Sequence, residues 1–310
     1  MKKTRYENTD KSATLATFKD LLKWRKERKG KQIDLSFQVP MVDKTEEAFL
    51  QSNRTIPTIT WIGHSTFLIQ LNGLNILTDP VWANRLGTDK RLSPPGLPIG
   101  ELPPIDIVLI SHSHYDHLSY SSIKRLKGNP TFFVPIGLGN WFKRKGFSKI
   151  VESNWWDEHQ IGELTIAFVP AQHWAKRTLT DTNHSHWGGW IVQDSNQTLY
   201  FAGDSGYFEG FREIGDKYSI DYCLMPIGAY EPEWFMAAQH VSPEDAVKAF
   251  INTRSKVMIP MHYGAYRLAD DTPKEALDRL LAEWTKRKLD DNKLAVMKLG
   301  ETIHMETPII

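Results

Sequence analysis

The sequence predicts a layered fold of the α+β or α/β type, with β-sheets covered by helices. Three observations predict it. Short β-rich runs with turn signals crowd the early part of the chain. Strand-like runs then alternate with helical stretches. Ligand-type side chains recur just past strand ends, where α/β layers assemble their sites.

The elements follow in order. Residues 1–31 carry eleven Lys/Arg and four Asp/Glu, whereas the rest of the chain carries 27 and 33. From Leu15, apolar residues at Leu15, Phe18, Leu21 and Leu22 alternate with Lys19, Lys23, Lys26 and Arg28. That spacing reads as an amphipathic helix, which either packs on the body with its basic face solvated or lies on an anionic membrane surface. Strands are expected at 58–62, 66–71 and 74–78, with Asn72-Gly73 as a hairpin turn. A loop with Pro94, Pro95, Pro98, Pro103 and Pro104 is too long for a plain connection and is expected to border a substrate cleft. Further strands are expected at 105–110, 131–134, 164–169, 189–192, 199–202, 221–225 and 257–261. Helices are expected near 121–126, 138–145, 243–251 and 273–287. No internal repeat at a fixed period and no low-complexity tract interrupts the pattern.

Composition narrows the function. A body of this size buries most of its unfolded surface and needs no staple. The single cysteine, Cys223, excludes an intrachain disulfide and a Cys-rich zinc site, so any transition metal relies on His, Asp and Glu. No run of about 18 apolar residues is present, and the N-terminus lacks the apolar core of a secretory signal, so a cytoplasmic protein is expected. The acidic body argues against nucleic-acid binding, which needs a phosphate-neutralising basic surface.

The most informative stretch is Ser111-His112-Ser113-His114-Tyr115-Asp116-His117, directly after an apolar strand. Imidazole nitrogen and carboxylate oxygen suit zinc and similar divalent ions. A bend after the strand can aim His112 and His114 at one ion, leaving Asp116 and His117 to turn toward a second. His173, Asp204 and His262 each lie just beyond another expected strand. Singly each reads as a polar loop residue; jointly they argue for one shared site.

The H-x-H-x-D-H cluster, the lone His173, Asp204 in a Gly-Asp context and the final His262 resemble the metallo-β-lactamase fold superfamily. That resemblance implies an αβ/βα sandwich of two mixed β-sheets flanked by helices. It also implies two divalent metal ions, one held by His112, His114 and His173, the other by Asp116, His117 and His262, with Asp204 bridging them. Zinc is the superfamily's expectation, and manganese, iron or nickel suit the same donors. Many true β-lactamases carry cysteine where Asp204 stands; a carboxylate there is typical of members that hydrolyse phosphoesters and lactones. Longer blocks from about Trp61 to Glu301 resemble the N-acylphosphatidylethanolamine-hydrolysing phospholipase D family. They include Gln172-His173-Trp174-Ala175-Lys176-Arg177, Phe201-Ala202-Gly203-Asp204-Ser205-Gly206-Tyr207, Pro226-Ile227-Gly228-Ala229-Tyr230-Glu231-Pro232, Trp234-Phe235-Met236 and Gln239-His240-Val241.

The charge and spacing of the N-terminal segment then give a basic amphipathic extension over 1–50, ahead of a hydrolase domain over 51–310. The resemblance implies a metal-dependent phosphodiesterase acting on N-acylphosphatidylethanolamine or a related phospholipid, through hydroxide held between two ions. The alternative is a hydrolase of the same fold acting on a small soluble substrate, such as a sugar-phosphate lactone or cyclic phosphodiester. Asp116, Asp204 and His240 are the candidate catalytic residues. His240 would protonate the leaving oxygen or bind a phosphoryl oxygen, although its place beside Ser242-Pro243-Glu244 also suits an N-cap. Lys176 and Arg177 suit either a phosphate contact or a solvated charge pair, and His64 can buttress the site. His159, His184, His186 and His304 read as surface or loop residues. Trp155, Trp156, Trp174, Trp187, Trp190 and Trp234 cluster around the motif-bearing loops, mostly as core, with some available to line an apolar channel for acyl chains. Peripheral membrane contact through the N-terminal helix and a homodimer complete the expectation.

Overall fold

Residues 58–78 set the pattern for the whole fold. β1 (Thr58–Gly63), β2 (Thr66–Leu71) and β3 (Leu74–Thr78) form an antiparallel meander. Asn72 and Gly73 both hold positive φ (48° and 76°), which is what a two-residue hairpin turn demands. Along β2, Phe67, Ile69 and Leu71 enter one apolar cluster while Leu68 enters another with Ile62 and Leu77. Both faces of this sheet are therefore buried, each large apolar side chain contributing about 1.5–3 kcal/mol.

The structure, a computed structural model, describes residues 4–11 and 16–305, so Leu15 lies outside the described residues. The two-residue β4 (Arg85–Leu86) and β5 (Asp89–Lys90) pair only with each other. β6 (Ile105–Leu109), β7 (Gly128–Pro135) and β8 (Ile150–Ser153) then extend the first sheet in parallel. The second sheet takes β9 (Glu158–Ile161), β10 (Leu164–Val169), β11 (Gly189–Gln193) and β12 (Thr198–Phe201), all antiparallel neighbours. β13 (Tyr222–Pro226) and β14 (Val257–Met261) join it in parallel, and β15 (Thr302–His304) returns to the first sheet beside β1. Strand orders are β15-β1-β2-β3-β6-β7-β8 and β14-β13-β12-β11-β10-β9, so both sheets are mixed.

The helices, in chain order, are α1 (Phe18–Arg28), α2 (Glu47–Ser52), α3 (Tyr120–Ile123) and α4 (Gly139–Arg144). α5 (Gly210–Lys217), α6 (Glu233–Met236), α7 (Pro243–Thr253) and α8 (Pro273–Lys286) follow. Leu50, Ile123 and Phe142 bring α2, α3 and α4 onto the outer face of the first sheet. Phe211, Ile214, Val247, Phe250, Leu280 and Trp284 bring α5, α7 and α8 into the large cluster that the second sheet shares. The result is the expected αβ/βα sandwich. α7 and α8 start as their sequences dictate: Ser242 and Thr272 accept from Asp245 N (3.2 Å) and Glu275 N (3.0 Å), with Pro243 and Pro273 next in line.

α1 packs on the body. Thr17 and Asp20 form a reciprocal capping box, and Leu21 and Trp24 meet Phe235, Met236, Ala229 and Ala269. Buried Asp270 accepts from Trp24 Nε1 (3.0 Å) and pairs with Arg28 Nε and Lys31 Nζ (3.2 Å each). Val39 belongs to the main core, and the boundary expected after residue 50 falls inside α2. The proline-rich loop is anchored by its apolar residues. Leu97, Ile99 and Leu102 bury into the outer cluster of the first sheet, and Trp82 Nε1 donates to Leu97 O at 2.8 Å. Among the described residues, no helix is long and apolar enough to cross a membrane.

Candidate metal centre

Four strand ends deliver the candidate ligands. β6 leads into His112, His114, Asp116 and His117; β10, β12 and β14 lead to His173, Asp204 and His262. The structure brings all seven together in two groups. In the first, His112 Nε2 lies 2.9 Å from His114 Nδ1, which lies 3.2 Å from His173 Nε2. Two nitrogens bound to one tetrahedral zinc at its usual bond length stand about 3.3 Å apart, so this spacing fits a coordination edge. In the second, Asp116 Oδ2 lies 3.2 Å from His117 Nε2 and 3.5 Å from His262 Nε2. Asp204 Oδ2 reaches both groups: 3.1 Å to His117 and to His262, 4.0 Å to His112 and to His173.

The donor set fits metal on two further grounds. His117 Nε2, His262 Nε2 and Asp204 Oδ1 are buried without a hydrogen-bond partner, a costly arrangement that a cation relieves. Charge points the same way. Burial holds His112 and His173 well below the ordinary histidine range and His114 at about 4. Burial also opposes charge on His117 and His262, yet the Asp204 carboxylate, helped by Asp116, raises His117 well above its ordinary value and His262 to about 9. The site thus attracts positive charge to the place where a divalent ion would supply it.

A second layer of hydrogen bonds aims these side chains. Asp79, just after β3, accepts from Ser111 N (2.8 Å) and Ser111 Oγ and lies 2.7 Å from His117 Nδ1. Ser111 Oγ is also 2.9 Å from His112 Nδ1, and His173 Nδ1 is 2.9 Å from Gln239 O. Partners of this kind fix the tautomer and orientation of ligating histidines. His64 serves the same end: its Nε2 is 3.2 Å from Asp116 Oδ2, and its carbonyl accepts from Trp61 Nε1 and His262 N. Asp79 escaped the sequence reading. Its signal was available, since Thr78-Asp79-Pro80 ends a strand as Asp204 does.

Other sequence candidates fall out variously. Ser242, not His240, caps α7; His240 Nδ1 lies 3.8 Å from Asp204 Oδ2, with its ring between His173 and His262. Arg177 turns its Nη1 into the 111–118 loop. It donates to Ser113 O (2.7 Å) and Leu118 O (2.8 Å) and stacks over Tyr115, clamping the 111–118 loop. The Trp174 and His114 rings meet edge to face with centroids 4.7 Å apart, whereas Trp187 and Trp190 are core. His159 and His304 find partners in Ser153 and Glu46. His186 is no surface residue: it is buried among Tyr6, Trp155 and Trp187.

Comparison with known proteins gives the family. The family model described as "Beta-lactamase superfamily domain" matches residues 74–263, which enclose all seven ligand candidates. A Caenorhabditis elegans protein named N-acyl-phosphatidylethanolamine-hydrolyzing phospholipase D 1 is 36% identical over 78% of this chain and 74% of its own. The Saccharomyces cerevisiae mitochondrial protein named N-acyl-phosphatidylethanolamine-hydrolyzing phospholipase D is 33% identical over 73% of this chain, which spans about half (52%) of the yeast protein. Igni18, described as a metallo hydrolase from Ignicoccus hospitalis, superimposes with a TM-score of 0.61 at 25% identity, over 80% of this chain and 98% of its own. With its strand-end histidines and carboxylates in the places described, the chain belongs to the beta-lactamase superfamily and is one of its metal-dependent hydrolases.

Proposed function

We propose that this hydrolase cleaves a phosphodiester bond of a phospholipid in the manner of a phospholipase D, with N-acylphosphatidylethanolamine or a close relative as substrate. The observation that carries the reading is Asp204, whose single oxygen Oδ2 reaches both histidine groups. His112, His114 and His173 would hold one divalent ion, Asp116, His117 and His262 a second, and Asp204 both. Zinc suits this nitrogen and oxygen set best, with manganese, iron or nickel compatible. When bound, the ions supply the Lewis acidity that activates water and offsets charge on the phosphoryl group.

The chain's own residues do the rest. Asp79 and Gln239 O keep His117 and His173 turned inward. His240, whose buried Nδ1 has no hydrogen-bond partner, faces the site from α7's approach; burial holds its pKa at about 4, so near neutral pH it would give the phosphoryl or leaving oxygen a hydrogen bond rather than a proton. Trp174 offers apolar surface beside His114, which favours a substrate with acyl chains. The names of the nematode and yeast relatives support the same substrate class. On α1, Phe18 (73% exposed) and Leu22 (49%) stand one turn apart among Arg25, Lys26 and Lys29, an arrangement suited to peripheral contact with an anionic membrane from the cytoplasmic side.

The test is hydrolysis of N-acylphosphatidylethanolamine in mixed micelles by the metal-loaded protein, with Asp204→Ala as control. Release of N-acylethanolamine and phosphatidate, lost in the control, is expected. Turnover of a soluble phosphodiester or lactone with no lipid cleavage would sink the phospholipid assignment and favour a small soluble substrate.

A further inference from the structure

Between the end of β10 at Val169 and the start of β11 at Gly189, the chain forms no helix or strand, yet His173 sits in this stretch. What holds its backbone comes from the other end of the sequence. Asn8 Nδ2 donates to His173 O at 2.9 Å, and His173 N donates to Asn8 Oδ1 at 3.1 Å. One side-chain amide thus satisfies both backbone groups of a candidate ligand, as a neighbouring strand would. The same Oδ1 accepts from Trp187 Nε1 at 2.9 Å. Around this point Tyr6 N donates to Asn183 O (2.9 Å), the Tyr6 ring stacks on His186 (4.6 Å), and Gln172 Nε2 donates to Asp10 O (3.2 Å). Residues 6–10 therefore lie as a strap along both limbs of the 171–187 loop.

We propose that Asn8 is a positioning residue for His173, so that the N-terminal strap completes the first ligand group. The His173 ring is fixed at Nδ1 by Gln239 O, but that bond orients the ring only if the backbone beneath it stays in place. Asn8 supplies that second point. Losing it leaves His173 N and O without their protein partner and frees the loop to move its ring away from His114 Nδ1. The inference rests on the metal-centre reading and adds to it a residue far outside the matched family region, since that region begins at residue 74.

The experiment compares full-length wild type, Asn8→Ala, Asn8→Asp and Glu7→Ala. Each metal-free protein is titrated with Co2+, followed by its visible absorption and by chelator competition, and melted without metal. Wild type is expected to bind two Co2+. Asn8→Ala is expected to weaken one binding step by about 10–100-fold and leave the other at its wild-type value, with a metal-free melting temperature lowered by the hydrogen bonds lost at His173 and Trp187. Asn8→Asp keeps the acceptor, loses the donor to His173 O, and falls between. Glu7→Ala, exposed on the same segment, matches wild type. Two unchanged steps in Asn8→Ala would overturn the proposal. So would equal weakening of both steps, which would mark a general structural role. A wild type that binds no Co2+ would overturn the metal-centre reading itself, and this inference with it.

Discussion

His186 makes stability depend on pH in a calculable way. Its ring is buried between Tyr6 (4.6 Å) and Trp155 (4.1 Å), and its Nδ1 has no hydrogen-bond partner. Burial lowers its pKa from the ordinary 6.5 to about 3. A histidine whose folded pKa is depressed takes up a proton more readily when unfolded, so its contribution is fully present above pH 6.5 and is lost as pH falls toward 3. At pH 5.0 the unfolded chain is about 1.5 units below its pKa, which at 1.36 kcal/mol per unit costs about 2 kcal/mol relative to pH 7.5. His186→Phe keeps an aromatic ring in the cage and removes the titration. Urea unfolding of the two metal-free proteins at pH 7.5 and 5.0 isolates the effect, because every other titrating group is common to both. The variant is expected to lose about 2 kcal/mol less than wild type on acidification. Parallel losses in the two proteins would refute the argument, and would mean that His186 opens to solvent or finds a proton acceptor.

Three further outcomes are expected. Asp79→Asn removes the carboxylate facing His117 Nδ1 and Ser111, and should weaken metal binding by about 10–100-fold in chelator competition; unchanged affinity would show that Asp79 orients nothing. Gly203 sits at φ +64°, where a Cβ would lie 2.7 Å from Ser111 Cβ and 2.9 Å from Gly188 O. Gly203→Ala should therefore destabilise by about 1–3 kcal/mol, read as a lower urea midpoint at constant slope. Arg177→Met leaves the buried Ser113 and Leu118 carbonyls without their donor and should cost about 1–3 kcal/mol in the same assay; full catalytic activity with wild-type stability would restore the idea that Arg177 is a free surface charge.

The central strands were legible because their two buried faces leave apolar runs bounded by turns: residues 66–71 and 164–169 are strands with those limits. β8, β9 and β15 were not. All but the last residue of β8 is at least partly exposed, β9 reads Glu158-His159-Gln160-Ile161, and all three lie at sheet edges, where one side meets solvent and the sequence turns polar. α5 was hidden by Gly210 and Gly215, poor helix formers. Gly215 is there for packing, since a Cβ would lie 2.5 Å from Thr253 O of α7. At the site, the strand-end rule located all seven ligand candidates because a strand's end fixes where the next residues point. The supports were harder to see. Asp79 is a lone carboxylate, and Asn8 acts across 165 positions through a side-chain amide, a contact no local pattern announces.

The division of the candidate ligands between the sheets carries one more consequence. His112, His114, Asp116 and His117 hang from the first sheet; His173, Asp204 and His262 hang from the second. Neither sheet alone holds a full set for either ion. Each ion would act as a rivet through the sandwich, and pulling the halves apart would mean releasing it. An ion present at a hundred times its dissociation constant adds about 2.7 kcal/mol to that separation. Loading and folding would then be linked equilibria, and a chelator would act on this protein as a mild denaturant. Scarcity of metal would shorten the life of the molecule as well as silence it.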